Sequence, residues 1–452
     1  MTELTERQPD LVRVATPWGA FPAVDGDGIV RIRNIRYALA ERFALPRPVE
    51  PEPDESAQLQ STVVACPQPP SPSAEVLGNP MAGVEFDEDC LRLSITRPKD
   101  APAPLPVMVW IHGGSYVSNA GDLAGFDPGA LVREQQVIVV SVTYRLGLLG
   151  FVGDGDRRPA NLGLLDIIEA LRWVRDRIAG FGGDPDAVTV FGQSSGADAI
   201  AHVLVADGTE GLVQRAIIES APFGLRERRD PMHEKMLQTI GDLATDAPIE
   251  ELFATQARAK AAGAGFGYRS GMAFCTQYGR APLPAEAEIV ETWRRRSPGL
   301  EVLVTWTTQE TLFYLSLLPR ANELFRRPVI GPLARRLMVW ASTGAVYRRG
   351  GRRFARLLAR SGASVHEGVF DARPVASTMG AAHAIEVPLL FPNEPVWARA
   401  ALVTPDGASS LVETGAPLRA AWAEFARTGR VTERRIDFGG RWRGALRIRR
   451  RS

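Results

Sequence analysis

Lysine is almost missing from this chain. Of its 53 basic residues only Lys99, Lys235 and Lys260 are lysines, and arginine supplies the rest. We read that bias as genome composition rather than chemistry, because 52 acids bring the net charge to +1. With neither sign in excess, nucleic acid and an acidic membrane surface are not expected partners. Cysteine is also scarce. Three thiols make no disulfide framework and contain no CxxC pair. The five histidines show no HExxH or other ligand spacing, so neither a metal site nor a cofactor is expected. No run approaches the roughly 18 apolar residues of a membrane span. The N-terminal MTELTERQPD carries no apolar h-region. A cytoplasmic protein without a membrane span, monomeric or dimeric, is the expectation.

What the chain does have is strands. LPVMVWI (105–111), QVIVVSVTY (136–144) and AVTVF (187–191) are runs of core type, and RAIIESA (215–221), EVLVTWT (301–307) and ASVHEGVFD (363–371) continue the series. Between the second and third lies NLGLLDIIEALRWVRDRIAGF, with apolar residues at helical spacing. Strand, helix, strand implies a right-handed crossover and a parallel pair. The first forty residues alternate like an antiparallel meander at a sheet edge. Residues 46–82 are rich in proline and polar residues and read as an irregular surface excursion. PLRAAWAEFARTG near the end has helical spacing and a glycine stop. YRRGGRRFARLLARSG (347–362) is basic and amphipathic, and a solvated helix face is preferred over a membrane contact. The expected architecture is a mostly parallel α/β sheet wrapped by helices.

The chemistry centres on VTVFGQSSGAD (188–198). Gly192 and Gly196 bracket a sharp strand-to-helix turn, and in G-x-S-x-G the middle residue stands at its strained tip. That register selects Ser194 as nucleophile and leaves Ser195 to offer its backbone N–H. A serine needs a base, a group orienting the base, and donors for the oxyanion. His202 follows Ser194 on the same helix, His366 lies in a strand, His233 in an insert, and His112 at the end of a core strand. His383, in the loop STMGAAHAIEVPLLF after a strand, is the remaining base. The acid belongs between serine and histidine in chain order. Glu310 in TWTTQETLF fits, and Glu386 is a rival, too close to His383 in sequence to orient the ring comfortably. In WIHGGSY the N–H groups of Gly114 and Ser115 join that of Ser195 as a three-donor oxyanion hole.

Together these residues resemble the type-B carboxylesterase family, the cholinesterase-like branch of the α/β-hydrolases. FGGDPDAVTVFGQSSG matches its serine signature and EDCLRLSITRP its second one, while YRLGLLGF, TQET and HAIEVPLLF follow in order. The resemblance implies one α/β-hydrolase domain over 1–452, with pocket inserts at about 46–86, 222–300 and 312–362. It implies a serine esterase acting on small-molecule esters through Ser194, Glu310 and His383. A lipase, thioesterase or amidase would use the same triad, and a non-catalytic binding relative would have broken it. Arg42–Glu88 and Arg145–Asp166 are implied as two buried scaffold ion pairs, and Cys66 and Cys90 as neighbours, with Cys275 free. The chain departs from the family in Gln193 before the nucleophile, in Arg92 where an aromatic is usual, and in FCTQYGRAPLP within a shortened 222–300 region.

Overall fold

A computed structural model describes residues 10–451 except 54–60, 75, 79–80, 101–103, 375–376, 404, 433–434 and 442–446. An all-apolar strand must be covered on both faces, and this requirement organises the molecule. In the strand Leu105–Ile111, Val107, Val109 and Ile111 enter one core cluster, while Met108 and Trp110 enter the other. The two-residue period of a strand makes that division. Full burial of one such side chain stabilises by about 1.5–3 kcal/mol.

The strands of the main sheet, in chain order, are β1 (Asp10–Thr16), β2 (Gly19–Gly26), β3 (Ile29–Arg36), β4 (Arg92–Pro98), β5 (Leu105–Ile111) and β6 (Ile138–Val142). They continue as β7 (Gly183–Gln193), β8 (Arg215–Glu219), β9 (Glu301–Thr307), β10 (Ser364–Arg373), β11 (Arg435–Arg441) and β12 (Arg447–Arg451). Their spatial order is β1-β2-β3-β4-β6-β5-β7-β8-β9-β10-β11-β12. From β6 to β11 neighbouring strands run parallel, while β1 to β4 form the antiparallel start. One expectation changes. β6 and β7 run in the same direction, but β5 lies between them and pairs with both.

Helices α1 (Gly129–Gln135), α2 (Leu162–Arg177), α3 (Ser195–Val203), α4 (Asp230–Ile240), α5 (Ile249–Ala262) and α6 (Ile289–Arg296) come first. They are followed by α7 (Leu312–Ser316), α8 (Pro319–Phe325), α9 (Ile330–Thr343), α10 (Arg349–Arg360) and α11 (Leu411–Thr428). α2 and α3 bury Leu164, Ile168, Ala197 and Ile200 in one core cluster, and α11 buries Leu418, Trp422 and Phe425 in the other. The α11 spacing was legible from Pro417, but the helix begins at Leu411 and runs through that proline. The basic α10 buries Phe354, Ala355 and Leu358 and leaves its arginines toward water, as a solvated face does. None of the helices among the described residues is long and apolar enough to cross a membrane.

The excursion at 46–82 is not wholly on the surface. Val64, Ala65 and Cys66 are buried, because an apolar triplet after the polar stretch has a core to enter. Cys66 and Cys90 are unbonded buried thiols in hydrogen-bond contact, and that bond, with burial, holds the Cys90 thiol well above its ordinary pKa. Cys275 is also free, and burial pushes its thiol up to about 12. Arg145 grips both oxygens of buried Asp166 at 2.8 and 2.6 Å. Arg42 reaches Glu88 at 2.9 and 3.1 Å, but this pair is only partly buried. Arg92 is buried, with its guanidinium on Asp89 and on the Asn34 carbonyl.

Candidate active site

β7 ends at Gln193 and α3 starts at Ser195, so Ser194 alone makes the turn, at φ 58° and ψ −123°. A non-glycine residue held in that region is strained, and close packing holds it there. A Cβ at Gly196 would stand 2.0 Å from the Ile111 carbonyl oxygen, and one at Gly192 2.6 Å from the same atom. Only glycine lets α3 cross the end of β5 this closely. The Ser194 N–H donates to the Glu219 carbonyl at 2.8 Å. Ser195, the first residue of α3, has an N–H with no acceptor inside its own helix. Its hydroxyl accepts from the Tyr116 N–H at 3.2 Å.

The loop after β5 wraps this turn. Gly114, Ser115 and Tyr116 all have positive φ, at 122°, 57° and 62°. A Cβ at Gly113 would meet the Gln193 carbonyl oxygen at 2.8 Å. The 113–115 backbone therefore lies directly beside Ser194, and both border one cavity of about 230 Å³. That cavity is walled mainly by apolar side chains, among them Trp110, Phe126, Phe274, Phe313 and Leu317.

The loop after β9 carries Glu310 and the loop after β10 carries His383, and backbone bonds lace the two together. Gln309 N–H donates to Ala381 O at 3.0 Å and His383 N–H to Glu310 O at 3.2 Å. The His383 Nδ1–H donates to Glu310 Oε2 at 2.6 Å, while Glu310 Oε1 accepts from the Thr307 N–H at 2.7 Å. Both side chains are buried. The structure thus brings Ser194, Glu310, His383, Gly114, Ser115 and Ser195 to one end of the sheet, beyond the C-terminal ends of the parallel strands.

The other histidines are engaged elsewhere. His112 stacks on Tyr144, and burial lowers its pKa to about 4. His202 bonds to the Asp198 carbonyl and to the Tyr278 hydroxyl. His233 is 3.4 Å from the Cys275 sulfur, with its pKa lowered by burial to about 3. His366 packs edge-on to Phe425.

Three contacts at the site were not legible in the sequence. The Gln193 amide nitrogen lies 3.2 Å from His383 Nε2. The Tyr314 and Tyr347 rings flank the His383 ring at 5.4 and 5.1 Å, and Tyr314 lines the same cavity as Ser194 and Ser115. Glu386 is fully buried; it accepts weakly from Ser220 at 3.4 Å. Burial first, then the nearby Glu310 charge, pushes its carboxyl up to about 8. Glu219, paired in register with Gln193 across β7 and β8, is likewise held well above the usual carboxylate range by burial and by Glu386. An acid ending a buried parallel strand was the one available signal for Glu219.

Known proteins resemble this chain in sequence and in fold. The family model described as "Carboxylesterase family" matches residues 25–248. A probable N-octanoylanthranilate hydrolase of Rhodococcus erythropolis is 35% identical over 428 residues, covering 93% of this chain and 94% of the relative. A phenmedipham hydrolase of Pseudarthrobacter oxydans is 29% identical over 405 residues, covering 81% and 79%. Among solved structures, a thermophilic PNB esterase superposes with a TM-score of 0.76 at 26% identity, over 97% of both chains.

Proposed function

This chain belongs to the carboxylesterase family and is a serine carboxylesterase of α/β-hydrolase fold; from that premise we propose that Ser194, His383 and Glu310 carry its chemistry. His383 Nε2 takes the proton from Ser194 Oγ as the oxygen attacks the ester carbonyl carbon. The carbonyl oxygen, now negative, is held by the N–H groups of Gly114, Ser115 and Ser195. The C–O bond to the alcohol breaks, and His383 returns the proton to the leaving oxygen. Water then attacks the acyl-enzyme by the same route and releases the acid. Glu310 fixes the tautomer with the proton on Nδ1 and stabilises the imidazolium. The Gln193 amide rests on the Nε2 lone pair and must move off it as Ser194 takes its place.

The observation that carries the reading is the 2.6 Å bond from His383 Nδ1 to a buried Glu310, in loops bordering the Ser194 turn. The substrate class is a small apolar ester, in keeping with the largely apolar 230 Å³ cavity. A second reading, hydrolysis of an N-acyl amine on the same residues, is favoured by the 35% identical relative, whose name specifies an N-octanoyl substrate. One experiment tests the nucleophile: mass spectrometry after a fluorophosphonate probe. An adduct on Ser194, absent in Ser194→Ala together with hydrolysis, is expected. An adduct on Ser195, or full activity in Ser194→Ala, refutes the assignment. Rates on paired p-nitrophenyl esters and p-nitroanilides of the same acyl chain decide between ester and amide.

A further inference from the structure

Exposed large hydrophobic side chains are normally scattered singly. Here seven of the thirteen among the described residues fall between Leu318 and Trp340. Four of them, Ile330, Leu333, Leu337 and Trp340, are 59, 59, 55 and 55% exposed and recur at intervals of three or four along α9. They form one stripe roughly 15 Å long at the rise of an α-helix. The opposite side of α9 is anchored: Val339, Ser342 and Thr343 are buried, and Thr311 Oγ1 bonds Ser342 Oγ at 2.7 Å. The stripe is therefore the outer face of a fixed helix.

Charge surrounds it. Residues 318–353 contain nine arginines and one acid, Glu323, a local excess of eight positive charges in a chain whose net charge is +1. Arg348 lies over the Trp340 ring at 5.6 Å. A groove of about 820 Å³ beside the stripe is lined by Arg335, Arg336, Trp340, Asp371 and Arg373. A fixed helix with leucines and tryptophan outward and arginines alongside has the chemistry of an in-plane interfacial helix.

We propose that the α8–α9 face docks on an anionic phospholipid bilayer, with the stripe at the boundary of headgroups and acyl chains and the arginines on lipid phosphates. A second copy of the chain fits this face poorly. A two-fold contact sets a patch against itself, and here that opposes two arginine-rich surfaces. Spanning is also excluded, since the 14 residues of α9 reach only about 21 Å. Docking has a consequence that rests on the esterase reading. Phe313, Tyr314 and Leu317 line the catalytic cavity, and Leu318 begins the exposed patch. A lipid-dissolved ester is thereby delivered beside the cavity. The docking itself does not depend on catalysis, and its test reads binding alone.

The test is co-sedimentation of the full chain with vesicles of phosphatidylcholine, with or without roughly one third phosphatidylglycerol. Binding to the anionic vesicles is expected to be about tenfold tighter and to weaken as salt screens the arginines. In Leu333→Ser/Leu337→Ser, binding should fall about tenfold, because apolar area scales insertion, while circular dichroism and hydrolysis of a soluble short-chain ester stay unchanged. Wild-type protein that ignores anionic vesicles overturns the proposal. So does a double variant that binds as wild type, or light scattering that shows a dimer lost in that variant, which assigns the stripe to a second copy.

Discussion

The nucleophile turn and the helical insert at 312–362 obey opposite packing rules. At the turn, a single Cβ on Gly196 would stand 2.0 Å from a carbonyl oxygen, and Gly113 and Gly192 are nearly as confined. In the insert, α9 turns leucines and a tryptophan outward, and half-buried Leu317, just past the end of α7, borders the cavity. Chemistry requires positions fixed to a fraction of an ångström, so few residue types are tolerated and the pattern is recognisable. Contact with a substrate's apolar part needs only volume and shape, which many side chains supply. The turn therefore reads from sequence, and the insert does not.

That contrast breaks if changes at the turn and its partners spare turnover, or if changes in the insert abolish it. The largest effect is expected for Glu310→Gln. An amide N–H donating to Nδ1 favours the wrong tautomer of His383, with the proton on Nε2, and kcat should fall by about 10⁴-fold with the fold intact. Steady-state kinetics with circular dichroism checks both halves. If the rate is unaffected, the orienting role passes to another group, with Glu386 the first candidate.

Ser195 comes next. Ser195→Pro deletes one N–H and should cost roughly 10²–10³-fold in kcat, in protein that still melts cooperatively. Ser195→Ala keeps the N–H and loses only the hydroxyl that accepts from Tyr116, so it should retain most activity while losing about 1 kcal/mol of stability. Paired kinetics and thermal melts of the two variants separate backbone from side chain.

The smallest effect belongs to the insert. Leu317→Ala enlarges the cavity and should shift preference toward longer acyl chains by roughly tenfold in kcat/KM ratio, leaving kcat for the best substrate within a few-fold. A panel of p-nitrophenyl esters of rising chain length measures it. A uniform loss across the panel would place Leu317 with the turn residues and blur the comparison.

Legibility followed the same boundary. Ser194 was readable because two glycines at fixed offsets and a β-branched run before them permit one local conformation. The bounds of β5 and β9 were readable to the residue because each is a run of mainly apolar and β-branched residues, wholly apolar in β5. The order β6-β5-β7 was not readable: sequence gives strand direction through crossover length, but not which strand slips between two others. Net composition misled about surfaces. A charge of +1 over the whole chain concealed an excess of eight over 36 residues, because opposite charges elsewhere balance it without screening it.

Local sequence determined the nucleophile turn, the strands and the helical faces, since each depends on neighbours within a few residues. Chain order already pointed His383 to Glu310, but tertiary structure alone decided what else the ring meets. Gln193 and Tyr314 lie 190 and 69 positions away in the chain, and polar and ring contacts act over ångströms regardless of that separation. The same holds for Glu219 and Glu386. Their carboxyls are raised by burial first, then by a neighbouring charge, Glu386 for Glu219 and Glu310 for Glu386, and burial is a property of everything packed around a group rather than of its own sequence.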